Sequence, residues 1–218
     1  MATYAELQTY VTELVQDPDR VDVDISYGDL INRGVSEIAG GMQSTLGDWI
    51  TSPLSELFTI GSINTVTDAA FVAMPTNFQR GLQLAVRAAG QEVDIANSFI
   101  AFTEIYPALD KSGIISEVVE HGNVFYYQGI PTSSEAVGLH YYRKPVEMTE
   151  DEDTPDGIPL HLQISLLVNF AAWKAYEFIE DGLEGETPNT QKYMGFFLGA
   201  LKTLELSIPD YTREVQLR

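Results

Sequence analysis

Leu139-His140-Tyr141-Tyr142-Arg143-Lys144-Pro145, an acid-rich loop closing on Thr154-Pro155-Asp156-Gly157-Ile158-Pro159, and the apolar run Leu160–Asp181 follow one another directly. The first piece alternates like a strand and the last repeats like a helix, so the hydrophobic period changes across the loop. The helical run carries two stripes. Leu160, Ile164, Leu167, Val168, Ala171, Ala175 and Phe178 form one, and Leu162, Leu166, Phe170 and Trp173 form the other. A helix on a monomer's surface needs a single stripe, and two mean burial on two sides. Either the helix is internal to a bundle, or its second stripe faces another subunit. Leu162, Leu166, Phe170 and Trp173 are therefore candidate subunit-interface residues.

Upstream of this stretch the chain reads as two helices and then strands. Thr3-Tyr4-Ala5-Glu6 has the form of a capping box, followed by Tyr4, Leu7, Val11, Leu14 and Val15 at helical spacing up to Asp17-Pro18-Asp19. Ser26-Tyr27-Gly28-Asp29 starts a second helix with Leu30, Ile31, Val35, Ile38, Met42 and Leu46 along its stripe. Gly34, Gly40 and Gly41 each weaken it by about 1 kcal/mol relative to Ala, which is consistent with close packing against a neighbour.

From Ser55 the pattern is extended. Leu57–Ile63, Ala70–Pro75, Gln83–Arg87 and Glu92–Ile95 read as strands, and Ser98 caps a short helix that Pro107 interrupts. Ser116–Glu120 and Val124–Tyr127 flank His121-Gly122-Asn123 as a hairpin, and Ala136–Tyr142 is the last strand. After the central helix, Thr187-Pro188 opens a final one, with Pro tolerated at its first position. Tyr193, Phe196, Phe197, Ala200, Leu201 and Leu204 line its face up to Pro209. The predicted fold is α+β. N-terminal and C-terminal helices (1–54 and 146–208) form a helical bundle, 55–145 is an inserted, mostly antiparallel β subdomain, and 209–218 is a tail.

Composition excludes several functions. The chain has 218 residues, of which 44% are hydrophobic, enough for a real core. With no Cys there is no disulfide, thiolate chemistry or Cys-ligated metal. A formal charge of −20 repels nucleic acid phosphates and argues against a sequence-reading role. No basic and apolar leader opens the sequence, and no apolar stretch is long enough to span a bilayer, so a soluble protein made in a cytoplasm is expected.

No residue cluster announces catalysis. Glu147, Glu150, Asp151, Glu152, Asp153 and Asp156 offer clustered oxygens for calcium, but Asp151, Asp153 and Gly157 do not follow EF-hand spacing. A solvated loop fits better. His121, His140 and His161 are far apart, with no second His at ligand spacing. Phosphate-cradling glycine motifs and the Gly-x-Ser-x-Gly elbow are missing. Tyr126-Tyr127 and Tyr141-Tyr142 suggest a sugar-stacking face, yet neighbouring strand residues point to opposite sides, so each doublet turns one ring outward. No enzyme activity, cofactor or metal is expected.

Several short patterns together carry a family resemblance. They are Tyr4-Ala5-Glu6-Leu7 with Asp17-Pro18, Asp29-Leu30-Ile31-Asn32, Met74-Pro75-Thr76-Asn77-Phe78, and the Tyr126-Tyr127 strand. The most telling succession is Tyr141-Tyr142-Arg143-Lys144-Pro145, the acidic Thr149–Thr154 loop, and Pro159-x-His161-Leu162. Over most of residues 3–205 the chain resembles the head-to-tail adaptor (connector or gatekeeper) proteins of tailed bacteriophages, mainly the short-tailed type. It departs from them at Gly113-Ile114-Ile115, where such proteins often carry Gly-x-Pro.

The resemblance implies a structural virion protein at the head-tail junction, assembled in the host cytoplasm. It would form a homo-oligomeric ring, commonly of twelve subunits, between the portal protein and the tail nozzle or tail fibre protein. DNA would pass through without sequence-specific binding, and no membrane is involved. Tyr211, Arg213 and Arg218 in the tail are candidate portal-docking residues. Two other classes stay open on the residues alone: a glycan-binding or glycan-cleaving tail component, and a calcium-stabilised surface module.

Overall fold

The computed structural model describes residues 1–15, 26–41, 54–88, 90–180 and 187–207. The fold is α+β. Among the described residues there are five α-helices: α1 Tyr4–Leu14, α2 Tyr27–Gly40, α3 Phe99–Ile105, α4 Asn169–Ile179 and α5 Pro188–Ser207. Seven strands form one sheet: β1 Phe58–Asn64, β2 Phe71–Ala73, β3 Phe78–Arg87, β4 Glu92–Ile95, β5 Glu117–His121, β6 Val124–Gln128 and β7 Ala136–Arg143. The chain divides into two compact units, Met1–Leu57 with Pro145–Arg218, and Phe58–Lys144. The expected helix stop at Asp17-Pro18-Asp19, the stripe positions Met42 and Leu46, and the whole tail lie outside the described residues.

In the first unit the capping box at α1 is complete. The Glu6 amide donates to Thr3 Oγ1 and the Thr3 amide donates back to the Glu6 carboxylate. Leu7, Val11 and Val15 are buried in a core shared with α2, α4 and α5. Ser26 caps α2 by accepting from the Asp29 amide, as its sequence pattern predicts. Gly34 is where α2 meets Phe170 closely: a Cβ there would sit 2.8 Å from the ring's Cδ1. Asn32 ties α2 to the acidic segment. Its Nδ2 donates to the Met148 carbonyl at 2.9 Å, and its Oδ1 accepts from the Met148 amide at 3.1 Å.

The run from Leu160 is less regular than its sequence pattern. It opens with a 3₁₀ turn, Leu160–Leu162, passes through a π-helical segment, Ile164–Val168, and becomes α4 only at Asn169. The three windings advance by different angles per residue, so the stripes drift. Leu167, Val168, Ala171 and Ala175 of the first stripe are buried, whereas Leu160, Ile164 and Phe178 are exposed.

Helix α5 begins at Pro188 as expected, and its free donors are taken by an acid nine and ten residues upstream of them. Glu180, 4% exposed, accepts from the Asn189 and Thr190 amides and from the Thr190 hydroxyl at 2.7 Å. Burial is the largest influence on this carboxyl and pushes it up, but the bonds from Thr190 and Asn189 together outweigh it and hold it below the usual range. A depressed folded value means that its stabilisation is present above the unfolded value of about 4.3 and is lost as the pH falls through the folded one. Glu180→Gln keeps a single acceptor oxygen, so it should cost about 1–2 kcal/mol at pH 7. In thermal melts the gap to wild type should close as the pH is lowered towards 3. A constant gap would show that the charge is not what caps α5.

In the second unit the strand order is β1-β7-β3-β4-β5-β6-β2, and every pairing is antiparallel except β4–β5. That parallel pair needs a crossover, supplied by the segment containing α3, which Ser98 caps. The β5–β6 hairpin turns at Gly122-Asn123, as its sequence pattern predicts. Strand β3 starts at Phe78, ahead of the expected Gln83, because register shifts on β7 let it continue through Arg80 and Gly81. Ala85, Val93, Val118, Phe125, Tyr127, Val137, Leu139 and Tyr141 fill this unit's core.

Candidate interaction surfaces

The four stripe residues do not share one fate. Leu162, Leu166 and Phe170 are 5%, 0% and 0% exposed, covered inside the subunit's own core. Trp173 is half-buried against that core, with its ring stacked on Phe197 at 5.7 Å and the Lys174 ammonium 3.8 Å over its face. Its buried Nε1 has no hydrogen-bond partner among the described residues. Apolar side chains that do face outward on these elements include Leu160, Ile164, Phe178, Phe196 and Leu206.

The acidic loop is a fitting that holds α1. The Tyr4 and Ala5 amides, unpaired within their own helix, donate to the Asp153 and Asp151 carbonyls at 2.8 and 3.2 Å. The Asp153 carboxylate accepts from the Thr149 and Glu150 amides at 2.7 and 2.9 Å. Those bonds, from Glu150 and then Thr149, hold its carboxyl below the usual range. The Ala2 amide donates to Gln163 Oε1 at 3.2 Å, so the segment before α1 is pinned to the start of the central run. Among the described residues no three His, Asp or Glu side chains are grouped to hold a metal ion.

Each histidine has its own surroundings. His121 stacks on Phe99 at 4.4 Å, His140 lies edge-on to Phe58 at 5.9 Å, and His161 is exposed in the 3₁₀ turn. Each tyrosine doublet divides as the strand period requires. Tyr127 and Tyr141 are buried, with hydroxyls bonded to Val66 and Asn77, while Tyr126 and Tyr142 sit on the other face. No helix among the described residues is long and apolar enough to cross a membrane.

These arrangements provide surfaces and edges. The family model of the SU10 adaptor protein matches residues 2–218. The chain belongs to the SU10 adaptor protein family. No curated protein matches it. As an SU10 adaptor the protein is a bacteriophage virion component that works by contact with other virion proteins, in agreement with the resemblance carried by its Tyr-Tyr-Arg-Lys-Pro to Pro-x-His-Leu succession. The surfaces that matter in an SU10 adaptor are then contact surfaces. The sequence pattern could not rank them, because an outward-facing Ile60 and an inward-facing Ile63 look alike until the sheet is built.

Proposed function

We propose that this adaptor forms a closed homo-oligomeric ring at the head-to-tail junction, meeting the portal protein on one face and the tail nozzle or fibre protein on the other. The observation that carries this reading is the family match over residues 2–218, which takes in both compact units. The helices from the two ends of the chain act as one bundle. Charge supports the DNA-passage role. At −20 per chain, repetition around a ring makes a strongly negative passage to which phosphates do not adhere. The work is assembly and passage, without any bond-making step, and it needs no cofactor.

Mixing the purified protein with its portal protein tests this by mass photometry and negative-stain imaging. Ring-sized particles and a portal complex are expected. A protein that stays monomeric and unbound at every concentration tried would refute the ring.

A further inference from the structure

Strand β1 lies at one edge of the sheet and pairs only with β7, so among the described residues one side of its backbone has no ladder partner. Edges of this kind are ordinarily blunted by Lys, Pro, a bulge or a covering element, because an open ladder recruits other chains. Phe58-Thr59-Ile60-Gly61-Ser62-Ile63-Asn64 has neither charge nor Pro, and its seven residues pair with β7 in unbroken register. Its outward side chains include Phe58, 42% exposed, and Ile60, 68% exposed. The opposite edge, β2, is only three residues long. A long, neutral, apolar edge is the template for strand addition, where main-chain bonds give affinity and alternate side chains give specificity.

The same chain carries a segment of matching length and pattern. Beyond Ser207, the last described residue, it continues to Arg218. In Tyr211-Thr212-Arg213-Glu214-Val215-Gln216-Leu217, Tyr211, Arg213, Val215 and Leu217 alternate with three polar residues. That is the two-residue period of a strand, with one face apolar except for Arg213, and Tyr, Thr and Val favour strands. Arg213 and Glu214 offset each other, so this segment meets less repulsion than the rest of so acidic a chain would.

We propose that Tyr211–Leu217 of one copy adds as an extra strand to the β1 edge of a neighbouring copy, with Val215 and Leu217 covering Phe58 and Ile60. The proposal rests on the homo-oligomeric reading. It gives the tail a subunit-to-subunit role in place of the portal docking that the resemblance implies for Tyr211, Arg213 and Arg218. Each subunit donates one segment and receives one, a heterologous contact that can close into a ring.

The absence of cysteine makes a clean test possible. Full-length Ile60→Cys is incubated, under oxidising conditions, with a synthetic peptide of residues 208–218 carrying Cys in place of Val215. The disulfide adduct is followed by intact mass. Adduct formation about ten-fold faster than with Ile114→Cys is expected, since Ile114 is equally exposed at 69% but lies off the edge. Phe58→Cys and Ser62→Cys are run in parallel to cover the neighbouring registers on the same face. Equal rates at edge and control positions overturn the proposal, even if wild type forms rings. Mixing full-length Ile60→Cys with full-length Val215→Cys should give a disulfide between chains. A link formed only within single chains of the double variant also overturns it. Wild type that never self-assembles refutes the ring instead, and the peptide arm still decides the strand.

Discussion

Phe170→Ala is expected to unfold the subunit before it affects any assembly, at a cost of about 3–5 kcal/mol. The ring is fully buried, meets Phe197 edge-on at 5.3 Å and Trp173 edge-on at 5.7 Å, and lies against the backbone of α2 at Gly34. Domains are stable by only about 5–15 kcal/mol, so the denaturation midpoint should fall steeply.

A companion substitution checks the geometry by sign. In wild type, Gly34→Ala forces a Cβ to 2.8 Å from the Phe170 ring, and overpacking of this kind costs about 1–3 kcal/mol. With Phe170→Ala already present the obstruction is gone, and the same change should stabilise α2 by about 1 kcal/mol through helix propensity. Urea titrations of the four proteins measure this cycle. Additive effects would mean that Gly34 and Phe170 do not press on each other.

The second large effect belongs to Gly129→Ala, at about 4 kcal/mol or more. Gly129 has a φ of 74°, a left-handed conformation that suits glycine, and a Cβ there would fall 1.7 Å from the Ile114 carbonyl oxygen. The obstacle is backbone, so no rotamer change relieves it. The segment it presses on is held on both sides. Gln128, fully buried, accepts from the Lys111 amide at 3.1 Å, and the Ile130 amide donates to the Lys111 carbonyl at 2.8 Å. Accommodating a methyl group would mean detaching residues 111–116 from the end of β6. Circular dichroism melts of Gly129→Ala beside Gly122→Ala separate conformation from contact, because Gly122 also has a positive φ, 62°, with nothing within 4 Å of its Cβ position. A much smaller loss at Gly122 is expected. Equal losses would reduce the Gly129 effect to backbone conformation alone.

Local signals were the legible part of this fold. The capping box at Thr3, the caps at Ser26 and Ser98, the hairpin at Gly122-Asn123 and the alternating strands all depend on residues within a few positions of one another, and they appear where their patterns place them except that β3 begins five residues early, at Phe78. What escaped was non-local or aperiodic. A uniform helical period from Leu160 cannot represent a 3₁₀ turn followed by a π segment, so two stripes read as two buried sides, with three of the first stripe's members left exposed. Glu180 capping α5 and the Asp151 and Asp153 carbonyls capping α1 join residues that no spacing rule connects. Among the contact surfaces, the edge position of β1 follows from strand order, which hydrophobic pattern alone does not specify.

The bonds from Tyr4 and Ala5 to Asp153 and Asp151, and from Ala2 to Gln163, also set an order of events during synthesis. Helix α1 leaves the ribosome early but cannot complete its first turn's hydrogen bonding until the residues around 150–163 have been made. At about 5–20 residues per second that delay is on the order of ten seconds. All seven strands are translated within the interval. The middle of the polypeptide can therefore reach its final pairing while the Tyr4 and Ala5 amides at the start of α1 are still bonded to water, waiting for the Asp151 and Asp153 carbonyls to arrive.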